Sequence, residues 1–274
     1  MNKHPQAPHT TPPATMSVCI VLPTFNEAEN LSGLIQALNK VRESAEGIAL
    51  SAVVVDDNSP DGTGHLADNL ARQHSWLDVI HRSGRQGLGS AYIEGFTHAL
   101  RNGSEACIQM DCDFSHDPRD IPRMISMLSS ENPNGGADLV IGSRYTAGGE
   151  TVNWSLWRRS ISKLGSLYAR TVLGLEVRDL TSGFKCIRSG TLELLDLQAT
   201  DSRGYGINIE LTYAAIKRGA RVVEIPITFM DRCAGESKMS LGIVLEAGWK
   251  VPMLRLRALS EDRRYRGKEL ETLE

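Results

Sequence analysis

Residues Ser17–Val41 read SVCIVLPTFNEAENLSGLIQALNKV. The opening run, SVCIVLP, is almost wholly apolar and β-prone, as expected of a strand covered on both faces. Past Pro23 the period changes: behind a polar turn, Leu31, Leu34, Ile35, Leu38 and Val41 recur at helical spacing. The same alternation repeats outward from this unit. SAVVVDD (51–57), LDVIHR (77–82), EACIQMD (105–111) and ADLVIGSRY (137–145) are further strand runs, and helical segments such as GTGHLADNLARQH (62–74) follow the first four strands. This order predicts an α/β fold: a single Rossmann-like domain with a mainly parallel central sheet flanked by helices. In open sheets of this kind ligands bind beyond the carboxyl ends of the strands.

At 274 residues the chain fits one large domain with tails. A formal net charge of -3 with 5% aromatic residues argues against a general nucleic-acid binder. Cys19, Cys107, Cys112, Cys186 and Cys233 are scattered, odd in number and without a C-x-x-C pair. That argues against a disulfide framework or zinc site and fits a reducing, cytoplasmic setting. The polar, proline-rich residues 1–16 read as a disordered tail or linker, residues 17–240 as the domain, and 241–274 as an amphipathic basic C-terminal segment. The most apolar candidate span, Leu241–Leu259, is broken by Glu246, Lys250, Arg255 and Arg257, so no membrane-crossing helix is expected.

The unusual residues collect at strand ends. Pro23, Phe25 and Glu27 follow the first run, Asp56 and Asp57 end the second, Asp111 and Asp113 end the fourth within IQMDCDFSHDP (108–118), and Arg144 ends the fifth. Asp-x-Asp can arise in any loop, and Asp117 before Pro118 is a ready helix cap. DDNSPDGT is equally rich in turn-forming residues. Yet a purely structural sheet has no need to pool carboxylates at one edge. Two acidic side chains two residues apart repel unless a cation, hydrogen bonds or water relieve them. Hard oxygen ligands of this kind suit Mg2+ or Mn2+, which keeps positions for water and phosphate oxygens.

Beyond Tyr145 the alternation fades. Helices are expected at about Leu156–Val172 and at Ile207–Arg218, with the apolar run ARVVEIPITF (220–229) after them, and this half reads as the acceptor side of the same domain. No G-x-G-x-x-G follows the first strand and no Walker loop is present, which disfavours hydride transfer and P-loop chemistry. Gly84, Gly87 and Gly89 precede a helix, a weak nucleotide signal that tight turns also explain.

The motifs LPTFNEAENL, VVVDDNSPDGT, QGLGSAYIEGF, MDCDFSHDP, IGSRYTAGG, NWSLWRRSIS, LTSGFKCIRSG and VEIPITFMDRCAGESKM, in that order, span nearly everything from Ser17 to about Ser240. Together they resemble the polyprenyl-phosphate mannosyltransferases, the dolichol-phosphate-mannose synthase group of inverting family 2 glycosyltransferases. SPDGT with GESKM is the most specific pair. The resemblance implies a GT-A fold and transfer of mannose from GDP-mannose to a polyprenyl monophosphate with inversion. It places Pro23, Phe25, Glu27, Val55, Asp57, Cys112 and Gly206 at the nucleotide-sugar pocket. Asp111 and Asp113, with Ser115 as a third position where some relatives carry glutamine, become the Mg2+ or Mn2+ site. Arg144, Arg158, Arg232 and Lys238 become phosphate-facing cations, with Asp111, Asp113, Arg144 and Arg232 named as catalytic. Phe25 departs from the tyrosine often found there; it can stack but offers no hydroxyl.

The alternative that keeps the fold is a UDP-sugar donor carrying glucose or an N-acetylhexosamine. A sugar-1-phosphate nucleotidylyltransferase would need a glycine-rich, arginine-bearing loop after the first strand, and a non-catalytic subunit would show a degraded site. A polyprenyl acceptor implies work at the cytoplasmic face of a membrane. There the basic C-terminal segment, or a membrane-spanning partner protein, would supply the anchor, unless that segment is a helix packed on the domain and kinked at Pro252.

Overall fold

A computed structural model describes residues 15–129, 135–197, 204, 206–231 and 248–257. At its centre β1 (Met16–Thr24) pairs in parallel with β2 (Ile48–Asp56) and with β4 (Ala106–Gln109), and β2 pairs in parallel with β3 (Leu77–His81). The side chains of β1 alternate between two cores. Val18, Ile20 and Leu22 pack with Leu31, Leu34, Ile35 and Leu38 of α1 (Ala28–Ser44), on the face that α2 (Thr63–Gln73) also covers. Cys19 and Val21 face Tyr92, Phe96 and Ala99 of α3 (Leu88–Arg101). Each fully buried aliphatic side chain contributes roughly 1.5–3 kcal/mol, so a strand apolar at every position is stabilised only when both faces are covered. The approach of α3 is close: a Cβ at Gly95 would lie 2.2 Å from Val21 Cγ1.

The sheet continues past β4 in a different sense. A short 3-10 turn at Pro118–Asp120, capped by the Asp117 carboxylate accepting from Arg119 N, leads into α4 (Ile121–Ser126). Then come β5 (Leu139–Ser143), β6 (Glu150–Val152), α5 (Leu156–Leu173) and β7 (Lys185–Arg188). After α6 (Ser189–Leu194) and α7 (Ile207–Lys217) follow β8 (Val222–Pro226) and β9 (Thr228–Met230). Among the described residues the main sheet has seven strands, in the order β3-β2-β1-β4-β7-β5-β8. β7 runs antiparallel to both β4 and β5, while β5 and β8 are parallel. β6 and β9 form a separate two-stranded sheet.

The expected α/β architecture and its helices are found, with two additions. FKCIRSG contains the antiparallel strand β7, and ARVVEIPITF is divided at Ile227 between two sheets. Residues 248–257 are helical and packed on the domain: Val251 is buried in the same core as α5, Tyr168 Oη donates to Gly248 O (2.9 Å), and Arg255 Nη1 donates to Val172 O (2.7 Å). No helix among the described residues is long and apolar enough to cross a membrane.

Candidate active site

The carboxyl ends of β1, β2, β4 and β5 converge on one edge of the sheet, and because β7 is reversed its amino end arrives at the same edge. Two loops at this edge are stitched together by the SPDGT segment. Asn26 N donates to Ser59 Oγ (3.0 Å), Glu27 N to Thr63 Oγ1 (2.9 Å), and Ala28 N to Asp61 Oδ2 (3.1 Å). Asp61 thus satisfies the first turn of α1 from another loop, supplying a cap that Glu27 does not provide with its own side chain. Asp56 accepts from Thr24 Oγ1 and from both the amide and hydroxyl of Ser59, and is the organiser of this turn.

Asp57 is differently placed. Buried at 6% exposure, it receives Arg82 Nη1 on Oδ1 and Gly87 N on Oδ2 (3.3 Å). Arg82 also reaches Ser90 Oγ (2.7 Å) and Glu94 (3.1 Å), fixing the glycine-containing turn ahead of α3. Phe25 is half-buried with the Arg85 guanidinium 4.5 Å above its ring, and Glu27 Oε2 accepts from Asn30 Nδ2 (2.9 Å). Pro23 and Val55 are register partners on β1 and β2. Val55 (0% exposed) and Cys112 (2%) are covered, backbone included, and burial pushes the Cys112 thiol well up. Gly206 stands at the start of α7.

The Asp-x-Asp turn is held by three devices. Asp113 is buried, and its Oδ1 accepts from Ser115 N (3.0 Å) and Ser115 Oγ (2.5 Å). Phe114 adopts a left-handed backbone (φ 60°), an arrangement that costs a non-glycine residue roughly 1–2 kcal/mol. Its ring packs where a side chain on α1 would otherwise be, since a Cβ at Gly33 would lie 3.2 Å from Phe114 Cζ. Asp111, half-buried, accepts on Oδ1 from the hydroxyl of Tyr92 (2.9 Å), and its amide donates to His116 Nδ1 (3.3 Å). His116 is fully buried between Phe184 (4.9 Å, stacked) and the edge of Phe229 (5.3 Å), and burial lowers its pKa so that it is neutral. Burial, then the facing Asp111, raises the Tyr92 phenol well above its usual value, so it remains a hydrogen-bond donor.

Across from the carboxylates stand cations. Arg144, 8% exposed, grips Asp179 bidentately (Nε 2.7 Å, Nη2 2.6 Å) and also reaches Thr181 Oγ1 (2.7 Å). The rings of Tyr145, Trp154 and Phe229 surround its guanidinium at 5.2, 5.6 and 5.2 Å. Burial alone would raise the Asp179 carboxyl, but the Arg144 charge and hydrogen bonds hold it below the ordinary carboxylate value. Lys185, also fully buried, donates to Ser182 O; burial brings its pKa down to about 7 against the pull of Asp179. Arg158, at the start of α5, stacks on Trp154 (4.3 Å) and pairs with Asp231 (2.6 Å). Met230 N donates to Ser115 O (3.3 Å), so the small β6–β9 sheet is tied directly to the Asp-x-Asp turn. Arg232 and Lys238 lie outside the described residues.

Among the described residues no group of three or more His, Cys, Asp or Glu could enclose a metal. The donor set of Asp111, Asp113 and the Ser115 hydroxyl nonetheless fits Mg2+ or Mn2+ of the kind that completes its shell with substrate oxygens and water. Sequence reading did not find Tyr92, Arg82, Asp179 or Lys185. Arg82 carried the available signal, since it too ends a strand.

Residues 19–195 match the sequence pattern of glycosyl transferase family 2. The chain is 44% identical over 232 residues to an undecaprenyl-phosphate mannosyltransferase of Micrococcus luteus, covering 85% of this chain and 91% of that protein. It is 43% identical to a polyprenol monophosphomannose synthase of Mycolicibacterium smegmatis, with 86% of each chain covered. Among solved structures, glucosyl-3-phosphoglycerate synthase of Mycobacterium tuberculosis, in complex with Mn2+, UDP-glucose and phosphoglyceric acid, superposes with a TM-score of 0.63 at 17% identity, over 89% of this chain and 79% of that one. A mannosyl-3-phosphoglycerate synthase of Rubrobacter xylanophilus gives 0.62 at 15% identity, over 92% and 75%. With this sheet, this acidic turn and these relatives, the chain belongs to glycosyl transferase family 2, as a GT-A glycosyltransferase of the polyprenyl-phosphate mannosyltransferase group.

Proposed function

We propose that the protein transfers mannose from GDP-mannose to a polyprenyl monophosphate, with inversion at the anomeric carbon. The observation that carries this reading is the 44% identity to an undecaprenyl-phosphate mannosyltransferase across 91% of that relative's length. The two halves of the site agree with it. Asp111 and Asp113, with Ser115, would hold a Mg2+ or Mn2+, which when bound neutralises charge on the departing pyrophosphate. Pro23, Phe25, Glu27 and Asp57 would contact the nucleoside, Phe25 by stacking in the place Arg85 now covers. Arg144 and Arg158 would face the acceptor phosphate, Arg144 from a guanidinium already fixed by Asp179. Arg232 and Lys238 would complete the phosphate contacts from the following segment.

No proton need be removed from the acceptor, because a phosphate monoester is ionised near neutral pH. The chain's task is therefore to bring two anions together and keep water out, and the neutral, aromatic-flanked His116 suits a wall rather than a base. Incubation with a panel of labelled nucleotide sugars and a polyprenyl phosphate tests the reading. Labelled lipid product from GDP-mannose alone is expected; product from a UDP-sugar instead would overturn the donor assignment.

An acceptor bound to a bilayer requires the enzyme to dock there. The surface for it would be α5 with residues 248–257, where Leu156, Trp157, Leu164, Leu167 and Trp249 are exposed (Trp157 74%, Trp249 72%) beside Arg159, Lys163 and Lys250. That mixture suits anionic headgroups. Salt-sensitive flotation with anionic liposomes is expected, weakened in Trp157→Ser/Leu164→Ser and when Arg255, Arg257, Arg263 and Arg264 are neutralised. No flotation at low salt would leave a membrane-spanning partner as the anchor.

A further inference from the structure

The QGLGSAYIEGF segment supplies α3, and one of its side chains does something that packing does not require. Tyr92 is fully buried, with its ring stacked on Phe96 (5.9 Å between centroids, 20°) among apolar residues. Phenylalanine would fill that space. The hydroxyl, however, crosses to the site edge and donates to Asp111 Oδ1 at 2.9 Å. The other carboxylate oxygen is bounded by the chain leading into β7: a Cβ at Gly183 would lie 3.3 Å from Asp111 Oδ2 and 3.5 Å from His116 Cε1. The Asp111 amide is held as well, by His116 Nδ1. The carboxylate of a half-exposed turn residue is thus held from α3, and its own backbone amide is held by His116.

We propose that Tyr92 is a positioning residue for the divalent cation: its hydroxyl sets the orientation in which Asp111 meets the metal. This rests on the reading of Asp111 and Asp113 as metal-holding carboxylates. A phenol donating to a carboxylate makes a charge-assisted bond that selects one rotamer. Partners behind a metal ligand are typically worth ten- to a hundredfold in metal affinity or activity.

The test is direct Mn2+ binding to the full chain in the presence of GDP, followed by the loss of the free-ion electron paramagnetic resonance signal, for wild type, Tyr92→Phe and Asp111→Ala. Tyr92→Phe is expected to weaken Mn2+ binding about tenfold and to raise the Mn2+ concentration for half-maximal rate by the same factor, with the KM for polyprenyl phosphate unchanged. A merely structural tyrosine would lower activity equally at all Mn2+ concentrations. If near-UV circular dichroism shows Tyr92→Phe misfolded, Tyr92→Met fills the ring's place without a hydroxyl and takes the same measurements. Mn2+ affinity within twofold of wild type in the folded variant, with binding lost in Asp111→Ala, overturns the positioning role alone. Undiminished binding in Asp111→Ala overturns the metal reading and this inference with it.

Discussion

The two sides of the site are built by opposite rules. On the β1–β2–β4 side, carboxylates stand at strand ends and each has its own partners: the Ser59 and Ser115 amides and hydroxyls at Asp56 and Asp113, Arg82 at Asp57, the Tyr92 hydroxyl at Asp111. On the β5–β7 side, Arg144 and Lys185 are sunk in a fully buried cluster around Asp179 and roofed by aromatic rings. The first side presents negative charge to something that must be brought by solution. The second holds the Arg144 guanidinium against Asp179 where water cannot screen it, and burial holds the Lys185 amine close to neutrality. On the proposed function the difference is one of timing: a metal and nucleotide would arrive and leave each turnover, whereas an incoming phosphate would meet a field already in place.

The strongest way to break this contrast is on the acidic side. Asp111→Ala or Asp113→Ala should reduce turnover about a thousandfold, the several kcal/mol that metal-held charge contributes, while the far-UV spectrum and the affinity for polyprenyl phosphate stay as they were. Near-normal rates in either variant would dissolve the division.

On the cationic side the damage should fall on stability as well. Removing one partner of a buried ion pair leaves an uncompensated charge, at about 3–5 kcal/mol. Asp179→Ala is therefore expected to lower the urea midpoint sharply and Asp179→Asn less so, whereas Asp113→Ala moves it little. Equal losses in Asp113→Ala and Asp179→Ala would show that both sides are equally structural.

Lys185 sharpens the picture through pH. Its folded pKa, about 7, is below the unfolded value, so between about pH 7 and 10 the unfolded chain binds more protons than the native one. Stability contributed this way rises with pH across that window, by at most about 1.4 kcal/mol per unit. Lys185→Met should flatten the curve of urea midpoint against pH; an unchanged slope would mean that Lys185 is not the titrating group. The smallest expected effect concerns proton transfer. Because the acceptor is already ionised, kcat should vary little from pH 7.5 to 9 at saturating substrates, and a rise governed by His116 would place a base where none is needed.

Much of the acidic side was legible because strand ends in an α/β sheet are where polar residues have to be explained. Asp56 and Asp57 illustrate the limit: adjacent in sequence, one organises a turn and the other binds Arg82, and only the register of β2 separates them. The cationic side was harder. Arg144 could be found at a strand end, but Asp179 and Lys185 reach the site only because β7 is reversed, and no local pattern in LTSGFKCIRSG announces its direction. Tyr92 was hidden by its chemistry, since a tyrosine on the apolar face of a helix looks like core until its hydroxyl's partner is known.

The place of β7 between β4 and β5 also orders events in time. β1, β2, β3 and β4 pair among themselves, so their part of the sheet can assemble on a growing chain as soon as residue 109 is available. Among the described residues β5 pairs only with β7 and β8, both made later. Until residues 185–188 emerge, β4 carries an unpaired, fully apolar edge at Ala106–Ile108, the kind of edge that seeds association between chains. A nascent chain paused in that interval has the loops of β1 and β2 in place and an apolar strand uncovered, so the passage between those two points exposes synthesis of this protein to aggregation.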